Sequence, residues 1–139
     1  MDTKKLSLGA LAGGLTYFLA GWLLYGVLFA NMLGSVIPGM KAIERQSGPD
    51  MVAMLIGNLV AGFLLAYIFE KWAGIRTFMG GAIAGATIGF LVALGYDSVM
   101  HGTTTLMTWG GVVLDSIIYA VMSGLAGGVA GWVLGYKRA

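Results

Sequence analysis

The sequence has no cysteine and only two prolines among its 139 residues. Without cysteine there is no disulfide, no thiolate nucleophile, no iron–sulfur cluster and no cysteine-bound zinc. Charge is scarce as well. Asp, Glu, Lys and Arg together make up 10% of the chain, against about a quarter in an ordinary soluble domain. Eight basic residues face six acidic ones with no basic stripe, which excludes nucleic acid as a partner. There is a single histidine, no Ser–His–Asp spacing and no Gly-Lys-Ser/Thr phosphate loop, so no enzymatic chemistry is expected. No cofactor and no metal are expected either.

What the chain has is apolar surface and glycine. Hydrophobic residues make up 58%, the mean hydropathy is +0.87, and there are 24 glycines without the three-residue period of collagen. An α-helix rises ~1.5 Å per residue, so a ~30 Å hydrocarbon layer takes roughly 20 apolar residues. Four runs meet that length, at about 6–33, 51–69, 77–100 and 109–136. In lipid every backbone polar group must be satisfied within the segment, so each run is expected to be helical. The predicted fold is an all-α membrane protein, a single four-helix transmembrane domain over 1–139. The first run is too long for the apolar part of a signal peptide and is read as a retained span. Pro49 suits the first turn of the second span. Gly102-Thr103-Thr104-Thr105 either caps the fourth span or forms a shallow re-entrant turn.

The basic residues orient the spans. Lys4, Lys5, Lys71, Arg76, Lys137 and Arg138 share one side, and only Lys41 and Arg45 lie on the other. Lys and Arg concentrate in cytoplasmic loops, so both termini are expected in the cytoplasm. Trp22, Trp72, Trp109, Tyr25, Tyr67 and Tyr136 fall mostly towards span ends, as an interfacial aromatic belt does.

Two stretches repeat. Gly9-Ala10-Leu11-Ala12-Gly13 matches Gly81-Ala82-Ile83-Ala84-Gly85 at an offset of 72, and the segment 60–67 matches 129–136 at an offset of 69. Spans one and two thus pair with three and four. The pattern predicts two tandem parallel hairpins related by a pseudo-twofold axis along the membrane normal.

In lipid, helices associate through close backbone approach and polar contacts, for which small residues are suited. Ladders of small residues run along every span. The longest are Gly81, Gly85, Gly89 and Ala93 on span three, and Ser123, Gly127, Gly131 and Gly135 on span four. A four-residue ladder drifts ~40° per step around an ideal helix and can serve more than one neighbour. A tight four-helix bundle accounts for most of this surface, and the surplus suits a second copy of the chain or another membrane subunit.

Polar residues sort by depth. Thr16, Asn58, Thr87 and Ser123 lie eleven to fourteen residues from charged anchors, or ~17–21 Å into the layer. They form a thin uncharged band, read as helix glue or as part of a solute path. Asp97 and Asp115 lie 21 and 22 residues from their anchors, ~31–33 Å up, at the outer boundary. His101 is one turn beyond Asp97. Asp97, His101 and Asp115 are the candidate ion or proton site, because two adjacent carboxylates and an imidazole can share and relay a proton. The ordinary alternative is three hydrated interfacial side chains.

The segment Gly21-Trp22-Leu23-Leu24-Tyr25-Gly26-Val27-Leu28-Phe29, with the glycine-rich third and fourth spans, resembles a broad bacterial family of small four-span membrane proteins of unknown function. The resemblance implies a location in the bacterial cytoplasmic membrane and supplies no functional residues. The leading expectation is a non-enzymatic membrane protein acting through helix packing, as a homo-oligomer or accessory subunit. The alternative is a small-solute, proton or ion transporter or channel with its polar cluster at the outer mouth.

Overall fold

The computed structural model describes residues 1–136; Lys137 and Arg138, two of the six basic residues used for orientation, lie outside the described residues. Each long helix starts on a side chain that satisfies an otherwise unpaired backbone N–H. Asp2 caps α1 (Thr3–Gly21) by accepting from Lys5 N–H, and Asp50 caps α4 (Met51–Ile68) by accepting from Ala53 N–H. Thr77 caps α5 (Phe78–Thr103) and Thr108 caps α6 (Trp109–Gly135) in the same way. The cap of the last span is thus Thr108. Thr103 is the final residue of α5, and no re-entrant turn forms. Pro49 precedes the Asp50 cap and so lies outside the first turn of α4.

Two helices end in wider coils with i→i+5 bonding. α1 continues as a π-helical segment over Trp22–Leu28, and α4 over Phe69–Ala73. With these extensions the four apolar helices run Thr3–Leu28, Met51–Ala73, Phe78–Thr103 and Trp109–Gly135, each long enough to cross a membrane. The first is shorter than the sequence predicted. It breaks at Phe29, and the chain resumes as two short helices, α2 (Ala30–Val36) and α3 (Met40–Ile43). Gly74 ends the second π segment at φ 63°, a left-handed conformation that a residue without Cβ adopts at little cost.

Consecutive long helices form two antiparallel hairpins running in the same sense, α1 with α4 and α5 with α6. The hairpins are not placed symmetrically. α6 packs on α5, on α1 and, more lightly, on α4, whereas α4 and α5 make no comparable contact. The predicted twofold relation would have made those two contacts equivalent. More than half of α6 is buried, against about a quarter of each other span. The remaining helix surface is apolar and outward-facing, with Leu19, Val52, Ile83 and Val99 among its exposed side chains. Four such helices make this a multi-pass membrane protein.

The glycine ladders are consumed inside the molecule. A Cβ on Gly81 would lie 2.0 Å from the Gly127 carbonyl oxygen, one on Gly85 2.3 Å from that of Ser123, and one on Gly89 2.1 Å from Ser123 Oγ. In return, a Cβ on Gly127 would meet Gly81 O at 2.3 Å, one on Gly131 Thr77 O at 2.4 Å, and one on Gly135 Arg76 O at 1.8 Å. α4 reaches α1 the same way, Gly62 facing the backbone of Gly14 and Ala10. The surplus for a second copy, expected from the ladders, is therefore small. Gly57, Gly95 and Gly102 are the glycines of the four long helices with nothing within 4 Å of a prospective Cβ.

At the end carrying the described terminus, Glu70 pairs with Arg76 at 3.0 Å and accepts from Asp2 N–H. Lys5 donates to the Tyr136 carbonyl. We call this the termini end. At the opposite loop end, Gly39 N–H donates to Leu106 O, and Thr108 donates to Val36 O through both N–H and hydroxyl. These bonds pin the α2–α3 segment over the α5–α6 connection.

Candidate functional site

Side chains four apart on a helix lie on nearly the same face. On α5 that series is Gly81, Gly85, Gly89, Ala93 and Asp97, and all five are buried. On α6 the antiparallel series is Gly135, Gly131, Gly127, Ser123, Tyr119 and Asp115. The same interface is glycine against glycine at the termini end and carboxyl against carboxyl at the loop end. α1 adds a third series of Gly9, Gly13, Tyr17, Gly21 and Tyr25, which faces α6 along its length. As the side chains grow, the helices must separate, and the acidic pair lies where they do.

Asp97 is 5% exposed. Its carboxyl shares the lining of two cavities with that of Asp115, while its Oδ2 is buried with no hydrogen-bond partner. Asp115 accepts from the Tyr25 hydroxyl at 2.6 Å. The three side chains line a cavity of about 540 Å³ at the loop end. Its walls are mostly apolar, with Leu33, Ile37, Met100 and Met107 among them, and α2 and α3 cover it. Lys41 and Glu44 stand at the rim as its other charged groups. A second cavity, about 390 Å³, touches Tyr25, Asp97 and Asp115 from the side. It occupies the gap between α1 and α5 and continues past Val92 and Tyr96, both exposed on the outward face of α5.

His101 does not join the pair. Its Nδ1 lies 2.9 Å from the Met107 carbonyl oxygen, and its ring stands against Trp109 at 4.4 Å between centroids. Among the described residues no group of three His, Asp or Glu side chains is placed to hold a metal ion.

The mid-depth polar residues divide. Ser123 is fully buried and accepts from Tyr17 OH at 2.8 Å, linking α1 to α6 beside the stacked rings of Tyr17 and Tyr119. Thr16, Thr87 and Asn58 turn back on their own helices, donating to the carbonyls of Ala12, Ile83 and Met54. They form no interhelical band.

The tyrosines are what sequence reasoning missed. Tyr25, read above as a belt residue, is instead the hydrogen-bond partner of Asp115. Extending each four-residue ladder by one to three steps would have led from Ala93 to Asp97, from Ser123 to Tyr119 and Asp115, and from Gly13 through Tyr17 and Gly21 to Tyr25.

No family model, no curated protein and no solved structure matches the chain.

Proposed function

We propose that this protein is a small membrane carrier for a cation or proton, with its binding space at the loop end beneath α2 and α3. The observation that carries this reading is Asp97, a residue lining two cavities whose Oδ2 is buried without a hydrogen-bond partner. A buried carboxylate oxygen left unpaired is costly, and a proton or cation beside it removes the cost. Ionisable side chains within a span are rare in membrane proteins and mark ion or solute paths when they face the interior. Close glycine packing at the termini end supports one-sided access in this state. Lys4, Lys5, Lys71 and Arg76 at that end favour placing it in the cytoplasm of a bacterial inner membrane. No enzymatic step belongs to this reading.

Proteoliposomes containing a pH-sensitive dye, with an imposed potassium diffusion potential, test it. The expected result is a proton flux that is lost in Asp97→Asn and Asp115→Asn. Proton flux equal to that of protein-free vesicles, together with no Asp97-dependent uptake of a radiolabelled organic or alkali cation, or fluxes unaffected by either substitution, overturns it.

A role through helix packing keeps one open surface, an apolar groove between α5 and α6 bordered by Phe78, Ala86, Phe90 and Leu125. Stable co-purification of a second copy or another subunit in mild detergent, lost in Ala86→Trp, would favour that role.

A further inference from the structure

The geometry points to a lipophilic amine as the ligand: an ammonium group bearing at least one N–H, bound between Asp97 and Asp115, on an apolar body. This inference rests on the carrier reading above and names its substrate class.

Four observations converge on it. Asp97 Oδ2 is an acceptor with no donor, so the missing partner has to bring a hydrogen. Asp115 Oδ1 already accepts from Tyr25, which leaves its carboxylate further acceptor capacity. Among the described residues no third carboxylate or imidazole stands close enough to the pair to complete a metal site, Glu44 lying at the cavity rim, so the donor set is too small for calcium, which takes six to eight oxygens. The space around the pair is far larger than a bare monovalent ion fills, and its walls are mostly aliphatic and sulfur-bearing side chains, with Tyr25 and Tyr96 beside them and Lys41 and Glu44 at the exposed rim. Apolar walls with a few fixed polar groups suit an organic molecule.

The lateral cavity adds the route. It runs from the acidic pair to the outward face of α5, where Val92 and Tyr96 are exposed near the outer edge of the span. An amphiphilic amine partitions into the lipid layer and reaches the carboxylates sideways, its charged head leading inwards. A zwitterionic lipid head would carry its phosphate against the same two acids, so a free amine fits better.

The test is equilibrium binding to the full chain in phosphatidylcholine nanodiscs by calorimetry. The probes are hexylammonium, hexyltrimethylammonium and hexanoate. Hexylammonium is expected to bind, and hexyltrimethylammonium, with no N–H, about tenfold or more weaker. Hexanoate is expected not to bind. Asp97→Asn should weaken hexylammonium by about tenfold or more. Gly34→Phe supplies a second variant that leaves the acids alone. Gly34 lines the larger cavity with nothing within 4 Å of a prospective Cβ, so bulk there obstructs the space without disturbing the fold. It should also weaken binding.

Equal binding of the trimethyl compound overturns the N–H requirement. Hexylammonium binding unchanged in Asp97→Asn overturns the placement. Absence of any amine binding, alongside proton flux that still depends on Asp97, overturns the ligand class while leaving the carrier reading intact.

Discussion

The two ends of the α5–α6 interface differ in kind although they belong to the same pair of helices. At the termini end, Gly81 and Gly85 face Gly127 and Gly131 so closely that a single added carbon would strike backbone. At the loop end, the same series bring Asp97 opposite Asp115 beside open space. The first region gains its stability from dispersion and close approach, which is what remains to drive helix association when the solvent is already apolar. The second gives up contact and keeps a polar atom unpaired. One end holds the helices together; the other end keeps an unmet bonding capacity.

That comparison can be broken most severely at the close-packed end. Gly127→Leu puts a Cβ only 2.3 Å from the Gly81 carbonyl oxygen. Overpacking against backbone should cost about 3 kcal/mol or more, measured by denaturant titration in mixed micelles. A loss below about 1 kcal/mol would mean that the two helices can part there cheaply.

The loop end should respond in the opposite direction. Asp97→Leu removes the unpaired oxygen and should stabilise the fold by about 1–3 kcal/mol while abolishing the proton flux. A destabilised Asp97→Leu protein would show that Asp97 is fully partnered, and the contrast between the two ends would fail.

Midway, Tyr17→Phe removes the hydroxyl that donates to Ser123 across α1 and α6. Interhelical hydrogen bonds in membranes average ~0.6 kcal/mol, so a loss of that order is expected in the same titration.

The smallest effects belong to Thr16→Val and Thr87→Val, whose hydroxyls only bond their own helices. Each should change stability by less than about 0.5 kcal/mol. A larger loss would mean that these hydroxyls serve another helix or a second chain.

Much of the architecture was legible because it follows from one-dimensional quantities. Run length located four spans to within a few residues at most ends, and small-residue spacing located the faces that meet. The exception at Phe29 arises because nothing in the apolar run 6–33 marks a break, which is set by the docking of Val36 and Gly39 against Thr108 and Leu106. Depth arithmetic placed Asp97 and Asp115 at one level. It placed Thr16, Asn58 and Thr87 as well, but depth carries no information about azimuth, and these three turned back on their own helices. His101 shares a helical face with Asp97 by spacing, yet the Met107 carbonyl and the Trp109 ring claim it first. The partnership of Tyr25 with Asp115, ninety residues apart, depends on which helices become neighbours. The asymmetric position of α6 decided that, and no repeat in the sequence announces it.

The widened coil at Trp22–Leu28 has a mechanical corollary. A stretch bonded i→i+5 stores one residue of slack relative to an ordinary helix. Were it to tighten by a single residue, the stretch up to the break at Phe29 would swivel by about 100° about the axis, and the Tyr25 ring would be unscrewed from Asp115 while the pinned α2–α3 segment stayed in place. Deleting Leu23 imposes that twist permanently, making this coil the place where a change of length becomes a change of angle.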